Sequence, residues 1–200
     1  MTDSELFSRQ HARWEDAHQI VTELDLLDRW RSLGVPAVCG SVAHGLVVAP
    51  DIDVEIIGGA DVRRGFALVA DWAATPAGRK VLFLDDLDGP GGRARLTADL
   101  SPTWTGLGRP DVVAAARLCR SPSHRPDRST PPRVLNPDRR AAILRIKEEL
   151  LRQQRPFSSI DIYRAVIENG VANAAGFDDW PGPTPTGGVL TDWLPNEVLS

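Results

Sequence analysis

The chain has 200 residues, of which 42% are hydrophobic and 25% are charged, and its formal net charge is −4. This composition is typical of a folded globular protein of one domain, or one domain with a small addition, and it excludes a disordered chain. No apolar run is long enough to span a membrane, the N-terminus lacks the basic and apolar regions of a secretory signal, and two cysteines cannot form a disulfide framework or a four-cysteine zinc site. We therefore expect a cytoplasmic protein without membrane contact.

The first hundred residues alternate between helical and strand patterns. Apolar residues at spacings of three and four predict one helical stripe from Ile20 to Leu33, followed by a stop at Gly34. Further elements are predicted from short apolar runs, from alternation or from helical spacing. They are a buried strand at 35–39, a strand at 52–57, a helix at 62–72 with Phe66, Val69 and Trp72 on one stripe, and strands at 80–84 and 93–100.

The segment from Pro90 to Arg133 is rich in arginine and proline, and its periodic pattern fades. This composition indicates a basic surface loop, although unstructured connections of this length are uncommon in compact domains. A second hypothesis is that the segment is frame-shifted or degenerate, because well-patterned sequence flanks it on both sides. Near its middle, Asp111 precedes a run that predicts the start of a helix.

The last third of the chain carries clear helix signals. Asn136 and Pro137 are typical of an N-cap and a first helical position, and Pro156 ends that helix. A second helix is predicted from Ser158 or Ser159 to Asn169-Gly170, and a third, short one between 171 and 180.

We expect an α+β fold, with a small mixed sheet and packed helices. The expected divisions are a core at 1–116, an Arg/Pro-rich linker at 117–135, a helical appendage at 136–180 and a loose tail at 181–200.

The candidate chemistry lies in two neighbouring segments, Cys39-Gly40-Ser41-Val42-Ala43-His44-Gly45 and Pro50-Asp51-Ile52-Asp53-Val54-Glu55-Ile56. On a strand, the acidic residues at 51, 53 and 55 share one face, and carboxylates at this spacing suit a hard cation such as Mg²⁺. A strand that ends in Gly-Ser lets backbone N–H groups approach an anion, and a short helix after it adds a positive end. Phosphoryl transfer needs both parts.

Simpler interpretations exist for each part. Alternating acidic and apolar residues often mark only a solvated strand face, and a Gly-Ser pair is more often a turn than a phosphate site. The order and spacing of the two parts favour the functional interpretation.

These residues resemble the signature of the nucleotidyltransferase superfamily typified by DNA polymerase β. That signature is Gly-Ser, a glycine a few residues later, and then Asp-x-Asp on the next strand. Here Gly40, Ser41, Gly45, Asp51 and Asp53 match in order, and the resemblance covers residues 24–100.

The resemblance implies an α+β core, a nucleoside triphosphate donor, two Mg²⁺ ions, and transfer of a nucleoside monophosphate to a small molecule, an RNA or a protein. It implies that Asp51 and Asp53 hold the metal and that Gly40 and Ser41 hold the donor's phosphates. It also requires a third carboxylate on a later strand, which helps hold the metal and deprotonates the acceptor. Asp99 is the best candidate, but its strand departs from the usual apolar pattern, and Asp111 fits less well.

We therefore expect a nucleotidyltransferase with an unidentified acceptor. The alternative is a catalytically inactive interaction protein on the same scaffold, without a competent third carboxylate. A plain helical adaptor is a weaker alternative.

Further candidates for nucleotide contact are His44, Arg63, Arg64 and Lys80, although exposed basic residues usually have no specific role. Nucleic acid is a possible partner without specific support, since Trp104 is the only aromatic residue among the arginines between 93 and 133.

Overall fold

The structure is a computed structural model. It describes residues 2–23, 25–49, 51–57, 62–73, 78–86, 93–100, 112–119 and 134–182, with backbone alone for 55, 57, 62, 69, 71–73 and the three strands between 78 and 119. The fold is α+β, as predicted. Its helices are α1 (Asp3–Glu23), α2 (Leu26–Trp30), α3 (Gly40–Ala43), α4 (Val62–Ala73), α5 (Pro137–Arg152), α6 (Ser159–Asn169) and α7 (Ala174–Asp178). Its strands are β1 (Val35–Cys39), β2 (Asp51–Ile57), β3 (Gly78–Asp86), β4 (Arg93–Leu100) and β5 (Val112–Cys119).

The five strands form one mixed sheet in the order β1-β2-β5-β4-β3. Strand β2 pairs with β5 in parallel, and the other three pairs are antiparallel. The four strands that the sequence predicts, at 35–39, 52–57, 80–84 and 93–100, are therefore confirmed. In this order β2, which carries the Asp-x-Asp pair, lies next to the edge strand β1.

Strands β4 and β5 show that the predicted loop between 90 and 133 is wrong for 93–100 and 112–119. The predicted helix start after Asp111 is also wrong, because Val112–Cys119 form the strand between β2 and β4. Three successive alanines in this strand favour a helix by local propensity, whereas hydrogen bonding to a strand on each side favours the sheet. Residues 117–119, assigned to a linker by the sequence, belong to β5.

The sheet has one apolar and one polar face. On β2, Ile52, Val54 and Ile56 are 2%, 0% and 1% exposed, while Asp51 and Asp53 are half-buried. Residues in register on adjacent strands share a face. The residues of β5 and β4 that are in register with Asp51, Asp53 and Glu55 therefore lie on the same face as these acids. We call the surface with the acids the polar face; it comprises Asp51, Asp53, Glu55, Val113, Ala115, Arg117, Arg95, Thr97 and Asp99.

Strand β1 is an edge strand rather than the buried strand that its apolar sequence predicts. Val35 is 64% exposed, and the other four residues of β1 are only half-buried. Pro36 is compatible with an edge strand because proline lacks the backbone N–H that a central strand uses in its ladders.

Two helix predictions also need correction. The stripe predicted from Ile20 to Leu33 belongs to two helices, since Asp25 adopts a left-handed conformation (φ 50°) between α1 and α2. In α4, Phe66 is 53% exposed, whereas Gly65 beside it is buried. The glycine is therefore buried at this point of the helix, and the aromatic residue predicted for the core is half exposed. The side chains of Val69 and Trp72 lie outside the described residues.

The chain divides into two compact units. One comprises residues 1–12, 45–49 and 124–200, and the other comprises residues 13–44 and 50–123. The second unit contains the sheet. In the first, α5 and α6 build an apolar core that also includes Leu6, Leu46 and Val48. None of the helices in the described part of the chain has the length and apolarity needed to cross a membrane.

The helix ends of the C-terminal segment follow the sequence signals. The Asn136 side chain accepts a hydrogen bond of 2.9 Å from the Arg139 backbone N–H, which confirms the predicted N-cap of α5. Ser158 caps α6 in the same way, and Gly170 ends α6 with φ 68°. The predicted third helix is shorter than expected and spans Ala174–Asp178, while the predicted tail from 183 onward lies outside the described residues.

A bidentate ion pair joins the residues after α5 to α7. The guanidinium of Arg155 donates hydrogen bonds of 3.0 and 2.5 Å to the two carboxylate oxygens of Asp178. These hydrogen bonds, with a smaller coulombic contribution, hold the pKa of Asp178 below its ordinary value. The carboxylate is at the surface, so its effect on stability is small.

The ion pair predicts a pH dependence that can be measured at one residue. Because the pKa of Asp178 is lower in the folded chain, the stabilisation is present above the unfolded pKa of about 3.9 and is lost as the pH falls through the folded pKa. In an NMR titration, the Asp178 carboxyl carbon should titrate at lower pH in the native chain than in Arg155→Gln. Equal midpoints in the two proteins would show that the pair does not form in solution.

Candidate functional site

Strand β2 presents two carboxylates on one face. Asp51 and Asp53 are two residues apart, which separates their Cα atoms by about 6.6–6.8 Å along the strand. Ile52 and Val54, which alternate with them, are almost completely buried and fix the strand on the opposite face. Both acids are half-buried, so the strand holds them at a surface that a ligand can reach.

The Gly-Ser turn lies directly against the second of these acids. Cys39, the last residue of β1, is in register with Asp53, and α3 begins at the next residue, Gly40. A Cβ atom at Gly40 would lie 2.6 Å from Asp53 Oδ2, 3.3 Å from Asp53 Cβ and 3.4 Å from Asp53 Cγ. Gly40 also has φ 63°, a conformation that favours glycine. Two independent constraints therefore require glycine at this position.

The residues that follow Gly40 form a single helical turn. The His44 backbone N–H donates to the Gly40 carbonyl oxygen at 3.2 Å, and Ser41 is 5% exposed. The structure therefore places Asp53 of β2 against the turn that contains Gly40 and Ser41, with Asp51 two residues away on the same strand. His44 is half-buried at the end of this turn.

The third predicted acid, Asp99, lies on β4. It is in register with Val113 of β5, and Val113 is in turn in register with Asp51. Asp51 and Asp99 thus belong to the same row of the polar face, two strand spacings or roughly 9.5–10 Å apart at the backbone. Lys80 on β3 is in register with Asp99 on its other side. The side chain of Asp99 lies outside the described residues.

The strand between the acids carries no carboxylate of its own. The sequence of β5 is VVAAARLC, and Val113 and Ala115 are the residues in register with Asp51 and Asp53. The carboxylate that lies across β5 from Asp51 is therefore Asp99 of β4, whereas Glu55 lies on β2 itself and Asp86 on β3. Among the side chains that the structure describes, no group of three or more His, Cys, Asp and Glu residues converges on one point.

Two basic residues of α5 hold the segment that connects α3 to β2. Arg140 Nη2 and Lys147 Nζ donate hydrogen bonds of 2.8 Å to the carbonyl oxygens of Gly45 and Leu46, respectively. Lys147 is only 2% exposed, and its ammonium lies 5.5 Å from the centroid of the Tyr163 ring. The sequence analysis missed both residues. The available signal was their seven-residue spacing, which puts Lys147 on the same helix face as Arg140.

The polar face also carries two arginines, which the sequence analysis considered only as part of the arginine-rich segment. Arg95 on β4 and Arg117 on β5 are in register with each other, one row beyond the row of Asp53. The two-residue spacing of Arg95, Thr97 and Asp99 within a strand indicates that they share one face. The arginine-rich composition of the segment obscured this pattern. By contrast, Arg63 and Arg64, considered from the sequence, are exposed on α4, and Arg64 donates to the Ser32 carbonyl oxygen at 3.4 Å.

Comparison of the chain with models of known protein families, with curated proteins and with solved structures returned no match. Its function is therefore inferred from the residues of the site and their geometry.

The contact between Gly40 and Asp53 predicts different effects for two glycine substitutions. Gly170 has a similar φ of 68°, but a Cβ there would meet nothing within 4 Å. Gly170→Ala should therefore add only backbone strain, whereas Gly40→Ala adds the same strain and also displaces the Asp53 side chain. We expect Gly40→Ala to lower the free energy of unfolding by about 1–3 kcal/mol more than Gly170→Ala, measured in urea. Equal losses would contradict the close packing of Asp53 on Gly40.

Proposed function

We propose that the protein is a cytoplasmic, Mg²⁺-dependent nucleotidyltransferase with a DNA polymerase β-like core, which transfers a nucleoside monophosphate from a nucleoside triphosphate to an acceptor. The observation that carries this proposal is the packing of Asp53 against Gly40. It puts the carboxylate that would bind the metal in contact with the backbone turn that would hold the phosphates. The mixed sheet, the order of the motif residues and the helical segment after residue 136 support the same family.

The residues at the site fit Mg²⁺. Mg²⁺ is bound in proteins by one or two carboxylates together with substrate phosphates and water, and Asp51 and Asp53 supply the two carboxylates. Both are half-buried, so they keep access to solvent and substrate. A side chain at residue 40 would collide with Asp53 Oδ2, so the glycine allows the turn and the carboxylate to lie in contact.

Each residue then has a role in the reaction. When bound, Mg²⁺ neutralises the triphosphate charge and lowers the pKa of the acceptor hydroxyl. Gly40 and Ser41 orient the donor's phosphates through backbone N–H groups and the serine hydroxyl. Asp51 and Asp53 fix the donor for in-line attack, in which the acceptor oxygen bonds to the α-phosphorus and pyrophosphate leaves.

Asp99 is the residue proposed to take the proton of the acceptor. Its register position in the row of Asp51 supports this role. At a backbone separation of about 10 Å, Asp99 would share with Asp51 and Asp53 the task of holding Mg²⁺, which would neutralise charge on the reacting phosphate.

The alternative function is that of an inactive interaction protein on the same scaffold. One observation favours it: β5, the strand adjacent to the acid pair, has valine and alanine where a carboxylate would lie closest to Asp51 and Asp53. In this case the protein retains the fold and the Asp-x-Asp pair without a competent base.

The enzyme proposal predicts that Asp51→Asn, Asp53→Asn and Asp99→Asn each abolish Mg²⁺-dependent release of pyrophosphate. Asparagine keeps the shape of the side chain but removes the negative charge that the metal requires. Asp138→Asn, in the exposed first turn of α5, is the matched control and should keep full turnover. The four nucleoside triphosphates are tested in turn, each with Mg²⁺, after a thermal-shift screen has identified which one binds.

The outcomes separate the two functions. Unchanged turnover in Asp51→Asn or Asp53→Asn would contradict the enzyme proposal. Binding of a Mg²⁺-triphosphate without turnover by the native chain would favour the inactive scaffold. Turnover that survives Asp99→Asn alone would show that the third carboxylate comes from elsewhere in the chain.

A further inference from the structure

A short segment, residues 45–49, connects the glycine turn (residues 40–44) to the strand that carries the acid pair. It belongs to the same compact unit as α5, and its residues 46–48 are at most 3% exposed. Its first two carbonyl oxygens accept the hydrogen bonds from Arg140 and Lys147 of α5. We propose that these two basic residues are positioning residues of the candidate site, which hold the segment so that the glycine turn and the acid pair keep a fixed separation; this inference rests on the proposed function.

Pairing of β1 with β2 fixes only one end of the acid pair. The last register pair of that ladder is Cys39 with Asp53, and the turn begins at Gly40. Asp51 lies two residues beyond the ladder, and among the strand pairs that the structure describes it is in register with Val113 of β5 alone. With a ladder on one side only, this end of β2 takes its second constraint from the segment that precedes it.

Gly45 allows the first of the two hydrogen bonds to form. The sequence analysis matched this glycine to the family signature without giving it a role. Its φ is 61°, and a Cβ there would lie 2.8 Å from Arg140 Nη2, the nitrogen that donates to the Gly45 carbonyl oxygen. The guanidinium is the end of a flexible side chain and can move aside, but moving aside breaks this hydrogen bond. A residue other than glycine at position 45 would therefore release the segment from Arg140.

Lys147 holds the next carbonyl oxygen, that of Leu46, from within the helical core. The lysine side chain is 2% exposed, and Leu46 is 1% exposed. Burial of an ammonium group is costly, and an apolar side chain would fill a core position at lower cost. The charged donor is explained by the charge-assisted hydrogen bond that it makes to the backbone of the segment.

Two hydrogen bonds from one helix restrict the segment to a single path. Arg140 and Lys147 are seven residues apart, which puts them on one face of α5 about two turns from each other. A connection without these hydrogen bonds samples many backbone conformations, and ordering it when a nucleotide binds would weaken the affinity. The hydrogen bonds therefore order the connection before the nucleotide binds.

A purely structural role makes a different prediction. If the two hydrogen bonds only stabilise the helical unit, breaking one lowers the melting temperature and leaves binding by the folded protein unchanged. If they position the site, the affinity for a Mg²⁺-triphosphate falls even where the variant is fully folded. Affinity measured well below the melting temperature therefore separates the two roles.

The test compares the full chain with Arg140→Gln, Gly45→Ala and the double variant, which all break the same contact. Arg139→Gln is the matched control, because Arg139 Nη1 donates at 3.0 Å to the carbonyl oxygen of Val134, outside the segment. Amide hydrogen exchange of residues 45–49 reports how firmly the segment is held, and titration with each of the four nucleoside triphosphates and Mg²⁺ reports the positioning. We expect each single variant to exchange faster and to bind roughly fivefold to tenfold more weakly, the double variant to bind no more weakly than the singles, and Arg139→Gln to match the native chain.

Two further variants examine the charged donors. Arg140→Lys keeps a donor and should retain part of the affinity that Arg140→Gln loses. Lys147→Met keeps the length of the side chain and removes its donor, so it should also speed exchange in residues 45–49 and weaken binding.

Each contrary result has a distinct meaning. Native affinity in Arg140→Gln would overturn the proposal, whether or not exchange is faster. Additive losses in the double variant would show that Gly45 and Arg140 act separately and would also overturn it, and native affinity in Lys147→Met would overturn the role of that lysine. If the native chain binds no Mg²⁺-triphosphate, the proposed function itself fails. If the native chain binds one and the variants bind it equally well, only the positioning role fails.

Discussion

The candidate site depends on one close contact, that of Asp53 with Gly40. A carboxylate oxygen of Asp53 occupies the space into which any side chain at position 40 would project, and the backbone of Gly40 has a positive φ. The pairing of Cys39 with Asp53 at the end of β1 produces this contact, since the chain turns into α3 at the next residue. The geometry of a two-strand ladder thus joins the glycine turn to the acid pair.

The sheet connects stability to the proposed chemistry. Its apolar face is anchored by Ile52, Val54 and Ile56, which are almost fully buried, and this burial fixes the register of β2. A register slip of one residue would exchange these side chains with Asp51 and Asp53. The burial of the isoleucines and valine therefore holds the acids on the polar face, where the registers of β5 and β4 also place Arg117, Arg95 and Asp99.

The sequence predicted those features that depend on local patterns. Alternation in β2 predicted the shared face of Asp51 and Asp53, and the cap of α5 followed from Asn136 and Pro137. Strand β5 was missed because its alanines carry a helical propensity that pairing with β2 and β4 overrides. The hydrogen bonds from Arg140 to Gly45 and from Lys147 to Leu46 join residues 95 and 101 positions apart, a separation that no local pattern reports.

The central claim is that Gly40, Ser41, Asp51 and Asp53 surround one metal–triphosphate site. Paramagnetic broadening tests it most directly, because Mn²⁺ can replace Mg²⁺ and broadens NMR signals only in its vicinity. With Mn²⁺ and the preferred nucleoside triphosphate, the backbone amide signals of residues 40–41 and 51–53 should broaden together, while those of β3, three strands from β2 in the sheet, broaden less. Broadening that spares either of the two segments, or that centres elsewhere in the chain, would contradict the claim.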